Sequence, residues 1–156
     1  NYNCMMPIEG NTHRFILDME RFCAYQERSV FEIKTKLHRK GATEEQVALV
    51  IKHLISNNFL NETRFVEAFV QGKSRIKQWG EQRIKSGLRA HHISDPLINQ
   101  ALALLPKSEV QAHLKRWLLK KQDSLKNEEE GPKKRAKIIR FLLSKGFSLD
   151  EILKAV

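Results

Sequence analysis

Residues 34–51 read KTKLHRKGATEEQVALVI, and residues 140–156 read RFLLSKGFSLDEILKAV. Setting Gly41 on Gly146 also sets Ile33 on Ile138, Leu37 on Leu142, Thr43 on Ser148, Val47 on Ile152 and Ile51 on Val156. A fainter copy lies between them, where Ile84, Leu88, Ser94, Ile98 and Leu102 fall on Ile33, Leu37, Thr43, Val47 and Ile51. The offsets are 51 and 54 residues, so one supersecondary unit occurs three times. Stacked units bury their apolar faces against one another and leave a long face suited to a polymer or another protein.

Around these turns the apolar residues recur at helical spacing nearly from end to end. Val30, Ile33 and Leu37 form one stripe, and Val47, Val50, Ile51, Leu54 and Ile55 form the next. Phe65, Val66, Phe69, Val70 and Ile76 mark a longer helix; Ile84 with Leu88, then Leu97, Ile98, Ala101, Leu102 and Leu105, mark two short ones. Val110, Leu114, Trp117, Leu118 and Leu125 fit a long helix, and Ile138, Phe141 and Leu142 precede a last pair, Ile152 and Val156. Ser29–Glu32, Thr43–Gln46 and Ser148–Glu151 have the form of capping boxes. Asn61 and Ser94 are read as further caps, with Pro96 in a first turn. Gly41 and Gly146 suit the left-handed residue that ends a helix, and the middle copy places His92 there. The expected fold is all-α: an elongated tandem array of about nine helices. Its repeats are expected at 14–57, 61–104 and 107–156, after an N-terminal segment 1–13 that carries no clear signal. Asn127–Pro132 reads as a loop or a frayed helix end.

The 156 residues carry a net charge of +10, and the excess of Lys and Arg over Asp and Glu rises from +1 over 1–60 to +6 over 107–156. Such asymmetry draws a chain toward polyanions, nucleic acid above all. No apolar run has the length of a membrane span and no signal peptide opens the chain, so a soluble, cytoplasmic protein without membrane partners is expected. The chain begins with Asn1 rather than Met, which reads as a trimmed or fragmentary end. Cys4 and Cys23 lack CxxC spacing, and the six histidines show no metal-ligand pattern. No paired acids or nucleophile arrangement stands out. Gly72-Lys73-Ser74 mimics the end of a phosphate-binding loop, but Glu67 stands where that loop needs its first glycine. Neither enzyme, cofactor, metal site nor small-molecule substrate is expected.

Three cationic stretches are the candidate binding residues. Lys73, Arg75, Lys77, Arg83, Lys85 and Arg89 surround Trp79 and are opposed by Glu81 alone, a composition suited to phosphates with an aromatic for stacking. Lys115, Arg116, Lys120 and Lys121 alternate with Trp117 and Leu118, so Trp117 is expected in the core with the cations pointing away. Lys133, Lys134, Arg135, Lys137 and Arg140 open an amphipathic helix and form the densest patch. Arg64 sits in the first turn of its helix against the dipole, where it is expected to pair with Glu62 or Glu67 or to be held for a partner.

Three stretches together resemble the RecX family, regulatory proteins of the bacterial RecA recombinase: SVFEIKTKLHRKG from Ser29, NFLNETRFVEAFVQGKSRIKQWGEQRIKSGL from Asn58, and KIIRFLLSKGFSLDEI from Lys137. Leu60, Arg64, Phe65, Phe69, Gly80 and Ile84 match the family pattern in the middle stretch, as do Arg140, Phe141, Leu142, Gly146 and Phe147 at the end. Asn61-Glu62 stand in place of the usual Asp pair, Gly87 in place of the usual acid, and His92 in place of the middle-turn glycine. The resemblance implies a non-enzymatic modulator. Its partners would be the RecA recombinase filament, along whose groove it lies, and the phosphate backbone of single- or double-stranded DNA; strand exchange and ATP hydrolysis would be inhibited. The competing reading is a sequence-specific helix-turn-helix regulator. Against it, Glu44, Glu45, Asp150 and Glu151 open the helices that would face phosphates.

Overall fold

The computed structural model describes residues 10–156; Asn1–Glu9, with Cys4 and most of the unassigned N-terminal segment, lie outside the described residues. Among the described residues there are nine α-helices and no strand. They are α1 (Gly10–Tyr25), α2 (Val30–Arg39), α3 (Glu44–Ser56), α4 (Glu62–Gln71), α5 (Glu81–Ala90), α6 (Asp95–Ala103), α7 (Lys107–Ser124), α8 (Pro132–Ser144) and α9 (Leu149–Ala155). The all-α class and the tandem three-helix pattern read from the repeats are what the chain adopts.

The same backbone device ends α2, α5 and α8. Gly41, His92 and Gly146 have φ of 83°, 58° and 100°, so the histidine does take the left-handed conformation that the other repeats give to glycine. In each turn the next residue donates five residues back: Ala42 to the Leu37 carbonyl (3.1 Å), Ile93 to Leu88 (3.2 Å) and Phe147 to Leu142 (3.4 Å). The donors and acceptors occupy equivalent places in all three copies, and the otherwise orphaned carbonyls of each helix end are satisfied. The helices that follow α2 and α8 start on capping boxes. Thr43 Oγ1 accepts from Gln46 N (3.2 Å) while Gln46 Oε1 accepts from Thr43 N (2.9 Å), and Ser148 and Glu151 repeat the exchange. Ser29 and Glu32 do the same at the start of α2. Asn61 Oδ1 accepts from Arg64 N (3.0 Å), but Ser94 makes no such side-chain bond.

The chain divides into two compact units at Phe65/Val66, within α4. The first is built from α1, α2 and α3 around Met19, Ile33, Leu37, Val50 and Leu54, each fully buried. Ile55, assigned by periodicity to the inner stripe, is 54% exposed: the stripe narrows at the last turn of α3. The second unit, Val66–Val156, holds Ile84, Leu88, Ile98, Leu142, Phe147 and Ile152 in its interior. The second unit therefore takes in most of the expected second repeat and all of the expected third.

Two departures from helical periodicity fall in this second unit. The long helix expected through Ile76 widens after Gln71 into a π-helical turn, Gly72–Ile76, closed by Lys77 N donating to the Gly72 carbonyl five residues back (3.3 Å). One wide turn shifts the register, so Ile76 leaves the apolar stripe and stands 79% exposed. At the other end, Leu125 is buried but lies beyond α7, as its C-cap.

Candidate nucleic-acid and partner interface

Within the second unit, α5 meets the α8–α9 turn through backbone. Gly80 N donates to the Lys145 carbonyl (2.8 Å) and Gln82 N to the Gly146 carbonyl (2.9 Å). The free N–H groups that open α5 thus satisfy free carbonyls that close α8, one helix end capping another. Side chains would prevent it. A Cβ on Gly80 would lie 2.6 Å from Phe147 N and closer still to the Gly146 carbonyl, and one on Gly146 would lie 2.7 Å from Arg83 N. Two more bonds cross the same seam: Arg83 Nη1 donates to the Ser144 carbonyl (3.2 Å) and Trp117 Nε1 to the Gln78 carbonyl (2.9 Å). Gln78 has φ of 55°, a strained conformation for a residue with a side chain, and its carbonyl is held by the indole.

Cations gather on the aromatic residues of this seam. The Arg83 guanidinium carbon lies 4.1 Å from the Trp79 ring centroid, and Lys73 Nζ lies 4.8 Å from it. Trp117 packs edge-on to Phe141 with centroids 5.9 Å apart. Lys145 Nζ lies 4.0 Å over Trp117, Lys120 Nζ lies 5.2 Å over it, and Lys121 Nζ is 4.9 Å from Phe141. Such contacts stabilise each cation without neutralising it. Trp117 is half-buried, and the expectation that its neighbouring cations point away fails for Lys120, which folds over the ring. Sequence reading missed Lys145. It stands alone before the turn glycine, outside every cationic run, and only the seam brings it to Arg83 and Lys120. Its ammonium pKa is lowered, first by burial and then by Arg83 and Lys120.

The other candidates scatter. Arg75 and Lys77 are exposed on and just after the π-helical turn. Lys85 borders a cleft of about 300 Å³ with Glu81, Asn99 and Lys107. Arg89 is held by Asp95 through two bonds, Nε–Oδ1 at 3.0 Å and Nη2–Oδ2 at 3.2 Å. Lys115 lines a groove of about 470 Å³ with Leu114, Leu118 and Glu151, and Arg116 is exposed. In the densest run, Lys134 is buried and paired with Glu130, and Lys137 pairs with Glu128 at 2.8 Å. The glutamates before Pro132 thus fold back onto α8, a pairing that a linear reading of the run does not register. Lys133, Arg135 and Arg140 are exposed.

Arg64 pairs with neither Glu62 nor Glu67. Its Nε donates to Glu27 (3.0 Å), its Nη1 to Asn58 Oδ1 (2.7 Å) and its Nη2 to the Asn58 carbonyl (3.0 Å), within the first unit. Asn58 has φ of 61°, so the guanidinium ties down a strained turn. This employment explains a cation in a helix's first turn: it reaches back out of the dipole's way.

Among the described residues no group of three or more His, Cys, Asp or Glu could hold a metal ion, and no helix is long and apolar enough to cross a membrane. Cys23, the described cysteine, is buried, and burial pushes its thiol up to about 11.

Comparison with known proteins places each repeat. Residues 19–54 match the first three-helix domain of RecX, residues 61–102 the second and residues 108–156 the third. A regulatory protein RecX from Herminiimonas arsenicoxydans is 31% identical over 128 residues, which is 82% of this chain and 81% of that protein. One from Clostridium tetani is 32% identical over 127 residues; the match takes in 81% of this chain but only 56% of the longer relative. The fold is also that of the crystal structure of RecX from Lactobacillus salivarius, with a TM-score of 0.79 at 24% identity, over 92% of this chain and 93% of that one. Three domains in order and a relative matched over most of both lengths agree: the chain belongs to the RecX family of regulatory proteins.

Proposed function

We propose that this chain is a non-enzymatic regulator of DNA repair and recombination in the cytoplasm. It binds the groove of the RecA–DNA filament and inhibits the recombinase and its ATP hydrolysis, with residues 14–57, 61–104 and 107–156 as its three repeats. The observation that carries this reading, beside family membership, is the seam in the second unit. Cations from two repeats come together there, Arg83 over Trp79 and Lys145 over Trp117, and backbone bonds join the segments that carry them. A protein that must match a repeating, negatively charged assembly is served by charges held at fixed separation rather than on independent domains. Many modest contacts then add through effective concentration. The exposed acids at the starts of α3 and α9 weigh against the major-groove reader, because they would face phosphates.

The test is a preformed filament of the cognate recombinase on single-stranded DNA, sedimented with increasing amounts of this chain. Saturable co-sedimentation that weakens with salt is expected. A folded chain that stays in the supernatant at low salt removes the reading.

A further inference from the structure

The cations at the seam are an unfinished electrostatic arrangement. Arg83, from α5, lies over Trp79, while Lys120 from α7 and Lys145 from the end of α8 lie over Trp117, whose Nε1 donates to the carbonyl of Gln78, next to Trp79. Like charges brought together on an apolar floor repel one another more strongly than in water. The usual remedy is a paired acid, and elsewhere this chain supplies one: Glu27 for Arg64, Asp95 for Arg89, Glu128 for Lys137 and Glu130 for Lys134. Here, among the described residues, no carboxylate supports the Lys145 ammonium; only burial and its two cationic neighbours act on it, all in the same direction. Repulsion of this kind is relieved when an anion enters.

We infer that Arg83, Lys120 and Lys145 form a phosphate site at the seam, which takes a phosphodiester of a single-stranded nucleic acid. This rests on the proposed function and names the ligand chemistry of one part of its surface. A lone protein carboxylate would answer one of three charges. A nucleic-acid strand brings successive charges at short spacing, and Lys73 over Trp79 and Lys121 over Phe141 are placed to receive its neighbours. The Trp79 and Trp117 faces hold cations, so here the rings position charge rather than stack bases. Sequence alone separates the three residues by 37 and 25 positions; the Gly80–Gly146 backbone contact is what unites them.

Trp79 and Trp117 are the only two tryptophans of the chain, so intrinsic emission reports on this site directly. The full chain would be titrated with an oligothymidylate across a range of salt, beside Lys145→Gln, Lys145→Arg and Lys120→Gln, with circular dichroism melting to confirm folding. Lys120 is exposed and its replacement leaves the seam's backbone bonds intact, so one variant remains informative if Lys145→Gln unfolds. The expected result is a saturable change in emission. Each glutamine variant should make the slope of log affinity against log salt shallower by about 0.7, the value of one contact on single strands. Lys145→Arg should restore it. An unchanged slope in both glutamine variants overturns the inference. So does an equal, Lys145-dependent response to polyglutamate, which would make the site one for acidic protein, or to adenosine triphosphate at equal concentration, which would make it one for a free nucleotide. If the oligonucleotide binds at the seam but the chain ignores the recombinase filament, only the proposed function falls. If the chain binds the filament while the seam does not respond to the oligonucleotide, only the present inference falls.

Discussion

Glycines at two positions decide how the second unit is put together, and they do so for different reasons. Gly146 needs its positive φ, whereas Gly80, with φ of −74°, has a conformation any residue could adopt and is restricted only by the backbone facing it. Replacing Gly80 with alanine is therefore a purely steric insult. It should destabilise the protein by about 1–3 kcal/mol in chemical denaturation, the usual cost of overpacking. Gly72, whose added Cβ would meet nothing within 4 Å, is the internal control. Gly72→Ala should be neutral or stabilising by up to about 1 kcal/mol, because alanine loses less backbone freedom on folding. Gly87 differs from Gly80: a Cβ there would approach Phe69 Cζ to 2.7 Å, the far end of a side chain that can shift rather than fixed backbone.

Histidine 113 gives a pH dependence at the same scale. It is buried, its Nδ1 has no partner among the described residues, and burial is the first cause holding its pKa below the usual 6.5, followed by Arg116. The unfolded chain takes up this proton more readily than the folded one. Stability should therefore fall as the pH drops through 6.5 toward the folded pKa and then level off. Urea denaturation of wild type and His113→Leu at pH 8 and pH 5.5 isolates the effect from the other histidines. The wild type should lose stability relative to the variant at the lower pH; parallel curves would mean that His113 charges freely in the fold.

At the level of helices, much of the architecture was legible because capping is local chemistry. Ser29, Thr43 and Ser148 were readable as helix starts because the hydroxyl and its partner three residues on lie in one short string, and so were the glycine turns. The same locality explains the failures. Nothing within a few residues of Ile76 announces a π-helical turn, and the pairing of Glu128 with Lys137, nine residues on, depends on a loop doubling back. The α9 helix spans only seven residues, so its own propensity cannot sustain it. Ser148→Ala should accordingly cost about 1 kcal/mol, seen as a lower melting temperature. Glu128→Gln removes a half-exposed pair and should change stability by less than about 1 kcal/mol. By freeing Lys137 it should also strengthen binding to polyanions at low salt, most clearly in a filament-binding titration.

For the whole molecule, the repeat at 51 and 54 residues carried the fold class, and composition carried the expectation of an anionic partner. What neither could give is which cations act together. Runs along the sequence placed emphasis on Lys133–Arg140, yet two of those cations are paired within the chain, whereas Lys145, isolated in sequence, lies over Trp117 at the backbone seam with α5. Contacts between repeats are long-range and depend on which glycines permit backbone to meet backbone. The most direct test is DNA-stimulated ATP hydrolysis by the cognate recombinase, measured against increasing chain, wild type beside the combined Arg83→Gln, Lys120→Gln and Lys145→Gln variant. The wild type should suppress hydrolysis at or below one chain per recombinase protomer, with the folded variant needing far more protein. Hydrolysis unaffected by folded wild type at low salt, or suppressed equally by both proteins, would contradict it.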